Sequence, residues 1–260
     1  MEFQEEVEAI SNISMMLLQK LEPEPEYVKR YIEEVCKRIQ KEGLIHFQDN
    51  KPWVKTFEGD KYTLKIAFIH ARRGEHITGA DLVFELKNKK VVFIQSKKVS
   101  PNGRIYFNRL QLQKLMELEW QIYSFLFYST AYFHEWIEIV HYLFHELRNK
   151  YDLLFLNPCL LFLLSFYPFR AAFYHLIMVQ NRIDERIFHV SEICFSLAGK
   201  KSVHQNEFLN QGLKLDEFQK MFWECKIGGP DIGEKRKRNI LYLYSMHTNR
   251  LIIWLNVEEK

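Results

Sequence analysis

The feature that most constrains the fold of this chain is a pair of short apolar runs with polar residues at their adjoining ends. The first run, LeuValPheGluLeu, follows ThrGlyAlaAsp at 78–81, and the second, ValValPheIleGlnSerLys, ends at Lys97. A lysine-rich turn joins the two runs, which predicts neighbouring strands. Side chains two apart in a strand share a face, so we expect Gln95 and Lys97 to lie beside Asp81. An acid, an amide oxygen and an ammonium at one point can hold a divalent metal and a water molecule.

The composition indicates a folded protein whose charge does not by itself identify a partner. At 260 residues with 47% hydrophobic content, the chain can bury a substantial core. Its formal net charge is +3, so an anion-binding surface has to come from local clusters of basic residues. The cysteines are widely spaced and form no CxxC pair, which favours a reducing cytoplasm over a disulfide framework or a zinc site; they are Cys36, Cys159, Cys194 and Cys225.

Two further segments bear on membranes and export. The N-terminal sequence is acidic and amphipathic, which is not the pattern of an export signal. The apolar block at 153–169 is shorter than the ~20 residues of a membrane span and is interrupted by Asn157 and Pro158. We therefore expect no membrane span, and expect this block to form a buried helix or a contact with a partner subunit or a second copy of the chain.

The order of elements predicts an α/β protein with a mixed central sheet flanked by helices. Apolar periodicity predicts helices at 3–21, 26–42 and 107–120, and strands at 62–71, 81–86, 91–96 and 122–128. Residues 1–130 are expected to form this core. Residues 131–260 are expected to form a mainly helical elaboration packed on it, with helices at 131–148 and 170–196, an ambiguous segment at 213–225 and a terminal β-hairpin at 241–257.

GlyAlaAsp on one strand, GlnSerLys on the next and a following helix that contains glutamine together resemble the restriction-endonuclease-like nucleases. The match is to the PD-(D/E)xK variant in which glutamine replaces the acid before the lysine. Residues 5–130 are also similar to uncharacterised bacterial proteins associated with defence against invading DNA. The resemblance implies a restriction-endonuclease-like core and a Mg²⁺- or Mn²⁺-dependent nuclease that hydrolyses the phosphodiester bonds of DNA.

The resemblance also implies roles for individual residues. Asp81 corresponds to the metal-binding acid, Gln95 to a ligand through its carboxamide oxygen, and Lys97 to the group that polarises the attacking water. Because Gln95 is neutral, a further carboxylate would help to hold the metal, and Glu6 and Glu75 are the two candidates. Gln111 corresponds to a glutamine that faces the site, with Gln113 as the alternative. Ser96 stands where alanine is commoner in the family, an exchange that we expect to have no effect.

Basic residues outside this set are candidates for contacting the DNA backbone. They are Arg72, Arg73, Lys235, Arg236, Lys237 and Arg238. Each of these features also has a structural explanation, because an aspartate before a strand is often a turn residue and basic runs are usually just solvated. The alternative to a nuclease is therefore a non-cleaving nucleic-acid-binding or regulatory subunit that keeps the nuclease fold.

Overall fold

The computed structural model describes eleven stretches of the chain. These stretches are residues 12–18, 30–34, 53–58, 62–70, 81–87, 89–109, 111–116, 118–119, 170–179, 183–230 and 251–259. No helix within these stretches is long and apolar enough to cross a membrane.

The protein is built on one mixed β-sheet. Its strands are β1 Trp53–Glu58, β2 Tyr62–His70, β3 Leu82–Leu86, β4 Lys90–Lys98, β6 Ala172–Val179, β7 Ile183–His189, β9 Leu213–Lys214, β10 Gly229–Pro230 and β11 Leu251–Glu259. They follow the order β1-β2-β11-β3-β4-β6-β7-β9, and β10 pairs with β4. Strands β5 Arg104–Tyr106 and β8 Ser202–His204 form a separate two-stranded sheet. The main sheet therefore contains strands that precede residue 130 and strands that follow it.

Helices cover both faces of the main sheet. Residues 111–116 and 118–119, called the 111–119 helix below, pack on one face together with the helix Val190–Leu197. Helical residues 12–18 and the helix Leu215–Trp223 pack on the other face. Strand β4 shows why the core has two halves, because Val91 and Phe93 enter the first apolar cluster while Val92 and Ile94 enter the second. An apolar strand of this kind must lie in the middle of the sheet.

Several predicted elements are confirmed. The strands expected at 62–71, 81–86 and 91–96 are β2, β3 and β4, and β3 pairs with β4 in antiparallel register. Described residues of the three predicted N-terminal-half helices are helical at 12–18, at 30–34 and, for the helix predicted at 107–120, at 109, 111–116 and 118–119, whereas 107 and 108 precede the helix. A mixed α/β architecture with a central sheet between helices is therefore correct for the described part of the chain.

Two predictions for the second half of the chain are wrong. Residues 170–196 were expected to be helical, but they form β6, β7 and the helix Val190–Leu197. The terminal hairpin at 241–257 is also wrong, because β11 pairs with β2 on one edge and with β3 on the other. The ambiguous segment 213–225 contains β9 and the helix Leu215–Trp223.

Other predictions fall on parts of the chain that the structure does not describe. They are the strand at 122–128, the helix at 131–148 and the apolar block at 153–169. Along residues 93–98, the parallel neighbour of β4 is β6, which follows these segments in the chain.

Candidate functional site

The candidate site lies where β3 begins and β4 approaches its end. Asp81 immediately precedes β3, and its backbone N–H donates to the carbonyl of Ile94 at 2.9 Å. The adjacent residue Leu82 pairs with Ile94 in the antiparallel ladder. Asp81 therefore lies next to Gln95 across the two strands, and both side chains are buried.

The Asp81 carboxylate accepts hydrogen bonds from both main chain and side chain of β4. The backbone N–H of Ser96 donates to Asp81 Oδ2 at 3.0 Å, and Gln95 Nε2 donates to the same oxygen. Gln95 Nε2 also donates to the carbonyl oxygen of Ser96 at 3.2 Å. A carboxylate oxygen and a carbonyl oxygen thus converge on one electropositive group. This is the donor chemistry that a hard divalent cation prefers.

Gln111 enters the site from the 111–119 helix. Asn108 caps the start of that helix, because its Oδ1 accepts from the Gln111 N–H at 3.4 Å and its carbonyl accepts from the Leu112 N–H at 3.0 Å. The Gln111 side chain then donates from Nε2 to Gln95 Oε1 at 3.2 Å. Its own oxygen, Oε1, is buried and has no hydrogen-bond partner in the part of the chain that the structure describes. Of the two glutamines considered from the sequence, Gln111 is the one bonded to Gln95.

Lys97 lies two residues beyond Gln95 on β4, so strand alternation gives it the same face of the sheet. Its side chain is half-buried, whereas Lys98, which follows it on the opposite face, is exposed. The prediction that the acid, the amide and the lysine share one face of the sheet agrees with this register.

A second polar chain lies on the opposite face of β4, directly behind the site. Ser96 Oγ lies 3.3 Å from His175 Nδ1, and His175 Nε2 lies 3.1 Å from Glu185 Oε2. Ser96 and His175 are almost fully buried, and Glu185 is partly exposed. The sequence analysis gave the Ser96 hydroxyl no role, whereas in the structure it is the partner of a buried ring nitrogen.

A buried glutamate that the sequence analysis missed anchors the far end of the 111–119 helix. Glu119 is fully buried and accepts from the backbone N–H groups of Ala171 and Ala172 and from His189, whose Nε2 lies 3.0 Å away. It ties the helix that carries Gln111 to the first residues of β6. A signal was present in the sequence, because Glu119 falls four residues after Leu115 on the apolar stripe of the helix.

The remaining predicted site residues lie outside the described residues, so their roles stay predictions. They are Glu6, Glu75, Arg72, Arg73, Lys235, Arg236, Lys237 and Arg238. Among the residues that are described, no three His, Cys, Asp or Glu side chains group closely enough to hold a metal ion. Within the described residues, a metal site at Asp81 therefore has to use amide or carbonyl oxygens, and the two predicted glutamates, Glu6 and Glu75, lie outside them.

The described residues fit a cation on one condition, which concerns the orientation of Gln95. Its nitrogen points to Asp81, whereas a metal ligand has to present the oxygen. The two ends of a carboxamide are nearly equal in shape, so a half-turn exchanges them with little change in packing. After that turn, the Gln95 nitrogen would face Gln111 Nε2, so Gln111 also has to turn and present its Oε1, which is buried and has no hydrogen-bond partner among the described residues. With both carboxamides turned, Gln95 presents oxygen beside Asp81 and its nitrogen has an acceptor.

Comparison of the chain with protein-family models, with curated proteins and with solved structures found no match. The geometry of the site and the motif resemblance are therefore the grounds for a functional proposal.

Proposed function

We propose that this chain is a Mg²⁺- or Mn²⁺-dependent nuclease that hydrolyses phosphodiester bonds in DNA. The observation that supports the proposal best is the convergence of the Asp81 carboxylate and the Ser96 carbonyl on the side-chain nitrogen of Gln95, a group that a half-turn exchanges for the carboxamide oxygen. Oxygen donors of these three kinds suit a hard cation. Lys97 follows on the same face of β4, where the motif of the restriction-endonuclease-like proteins has its lysine.

The proposed roles follow from the chemistry of each side chain. Asp81, the Ser96 carbonyl and the Gln95 oxygen would hold the metal, and Glu6 or Glu75 would add negative charge. The metal, when bound, lowers the pKa of a coordinated water and stabilises the charge that develops on the phosphate. Lys97 orients the attacking water and stabilises the same developing charge through its ammonium group. Gln111 holds the Gln95 carboxamide.

The choice of DNA as the substrate rests on charge and on the resemblance. A net charge of +3 permits an anionic polymer, and the predicted contacts come from Arg72, Arg73 and the run at 235–238. The cysteine spacing favours a reducing cytoplasm, and the resemblance implies a role in bacterial defence against invading DNA. Assembly with a partner subunit or a second copy through 153–169 belongs to the same proposal.

A second function is favoured by a specific observation. Gln95 stands where most related motifs have an acid, and its nitrogen rather than its oxygen faces Asp81. This arrangement stabilises the Asp81 carboxylate without any metal. A protein that uses the arrangement permanently would bind nucleic acid without cleaving it, as a regulatory subunit with a nuclease fold.

One set of assays separates the two functions. Supercoiled plasmid and single-stranded DNA are incubated with the protein in Mg²⁺, Mn²⁺ or EDTA, and DNA binding is followed in parallel by fluorescence anisotropy. The variants are Asp81→Ala, Lys97→Ala and the matched control Lys98→Ala, which removes a lysine from the adjacent position on the other face of β4.

The nuclease proposal expects metal-dependent cleavage that Asp81→Ala and Lys97→Ala abolish and Lys98→Ala retains. It also expects Lys97→Ala to bind DNA nearly as well as the parent protein, since the lysine acts on the transition state. Neutralising 235–238 should instead weaken binding and flatten its salt dependence by ~0.9 log unit for each phosphate that the run no longer neutralises. DNA binding without cleavage in either metal would favour the regulatory subunit. Cleavage that survives Lys97→Ala would show that the activity belongs to another site.

A further inference from the structure

The two glutamines of the candidate site form a directional chain. Gln111 Nε2 donates to Gln95 Oε1, and Gln95 Nε2 donates onward to Asp81 and to the Ser96 carbonyl. Both side chains are almost fully buried. At the far end of this row of hydrogen bonds, Gln111 Oε1 accepts none from the described residues. A buried amide oxygen without a partner costs stability, so its presence at this position requires an explanation.

A half-turn of the Gln95 carboxamide alone would create two conflicts. Its oxygen would then face the Asp81 carboxylate and the Ser96 carbonyl, and three oxygens at one point repel unless a cation lies among them. Its nitrogen would face Gln111 Nε2, which is also a donor. A half-turn of Gln111 removes the second conflict, because it brings the unpartnered Oε1 to the Gln95 nitrogen. The bond from Gln111 Nε2 to Gln95 Oε1 is thereby replaced by one from Gln95 Nε2 to Gln111 Oε1, so the two carboxamides keep one hydrogen bond between them.

We propose that Gln111 is a positioning residue whose carboxamide turns together with that of Gln95 when a divalent cation binds beside Asp81. The pair then has two states. In the closed state, Gln111 donates to Gln95 and the Gln95 nitrogen faces Asp81. In the open state, Gln95 donates to Gln111 and its oxygen faces the cation beside Asp81. Gln111 thereby regulates the affinity of the site for the cation, without ligating the metal and without contacting the substrate. This inference rests on the proposed metal site and adds its regulation.

Side-chain NMR provides a direct test that is independent of cleavage. The ε-amide resonances of the protein labelled with ¹⁵N-glutamine are followed during a Mg²⁺ titration, and they are assigned from the peaks that disappear in Gln95→Glu, Gln111→Glu and Gln113→Glu. The proposal expects the Gln95 and Gln111 resonances to shift with the same Mg²⁺ midpoint. Gln113, on the same helix, should not follow them. A Gln95 resonance that shifts while the Gln111 resonance stays in place would overturn the proposal.

Affinity gives a second readout with a charge-matched control. At pH 8, a carboxylate in Gln111→Glu accepts from Gln95 Nε2 but cannot donate to Gln95 Oε1, so it favours the oxygen-presenting state. Gln113→Glu adds the same charge two residues away. By calorimetry with Mn²⁺, the first variant should bind about tenfold more tightly than the second. Equal affinities would overturn the proposal, and circular dichroism checks that both variants are folded.

The two proposals fail in different ways. If the parent protein shows no saturable Mn²⁺ or Mg²⁺ binding, or if binding survives Asp81→Ala, then both the metal site and the paired rotation of the Gln95 and Gln111 carboxamides are wrong. If binding requires Asp81 but the Gln111 resonance and the Gln111→Glu affinity do not respond as expected, the metal site stands and the paired rotation is rejected.

Discussion

Glu119 offers the most direct test of how the fold supports the candidate site. Its fully buried carboxylate lies at the far end of the 111–119 helix and accepts hydrogen bonds from Ala171, Ala172 and His189. The substitution Glu119→Ala removes all three interactions and leaves two backbone N–H groups and one ring nitrogen buried near the start of β6. We expect it to destabilise the whole sheet, since β6 lies between β4 and β7.

The magnitude follows from the number of groups that lose their acceptor. A buried donor left without a partner costs about 1–3 kcal/mol, and Glu119→Ala leaves three such donors. Because water can enter the space left by the side chain, we expect a loss near the lower end of their combined cost, about 3–5 kcal/mol. The free energy of unfolding of an ordinary domain is about 5–15 kcal/mol, so this loss is a large fraction of it. Glu119→Gln keeps one oxygen acceptor and should lose less, about 1–3 kcal/mol.

Urea unfolding at pH 7, followed by tryptophan fluorescence and by circular dichroism, measures these losses. Glu207→Ala is the matched control, because Glu207 is exposed in the short 3₁₀ helix Gln205–Glu207. The control should lie within about 0.5 kcal/mol of the parent protein. If Glu119→Ala unfolds at the same urea concentration as Glu207→Ala, the buried carboxylate does not anchor the helix, and the reasoning from its three hydrogen bonds is refuted.

Three more outcomes follow from the described contacts. Ser96→Ala should cost about 1–2 kcal/mol in the same urea assay, because it leaves a buried histidine nitrogen without its partner; an unchanged midpoint would contradict the contact. Iodoacetamide followed by peptide mass spectrometry should modify the exposed Cys225 in the native protein and Cys194 only after unfolding, since burial raises the pKa of the Cys194 thiol; native modification of Cys194 would contradict its burial. Gln95→Glu places a second carboxylate beside Asp81, so the variant should lose about 1–3 kcal/mol of unfolding free energy in EDTA and regain it in Mn²⁺. Thermal unfolding measures both values, and equal stability in the two buffers would count against a cation site.

The contact between Asp81 and Gln95 could be predicted from the sequence because it depends only on local rules. Strand alternation fixes which residues of β4 share a face, and a short turn makes β3 and β4 antiparallel neighbours. Given those two facts, polar residues at the adjoining ends of the two runs must meet. The same rules predicted that Lys97 follows on the face that carries Gln95.

Strand β6 could not be predicted in the same way, because the usual signal for a strand is absent from it. Seven of its eight residues are buried, so apolar side chains occur on both faces and no alternation remains. Its composition includes Ala172, Leu176 and Met178, which are good helix formers. Tertiary context overrides that preference, because β4 and β7 supply hydrogen bonds on both edges. The terminal strand β11 was recognised as a strand, but its partners are distant in sequence and no local turn could identify them.

The buried amide pair also explains how a site with one described carboxylate can be stable without a metal. Two carboxylates in adjacent positions would repel each other in a buried environment unless a cation or a proton intervened. With Gln95 in place of an acid, the Asp81 charge is instead stabilised by the Gln95 nitrogen and the Ser96 N–H. The bond from the Gln95 nitrogen must break before a cation can bind at the same position, so it weakens binding by its own free energy. In the proposed metal site, a neutral second ligand would therefore keep the site closed at low metal concentration, and a turn of Gln111 would favour opening by bringing its buried oxygen to the displaced nitrogen.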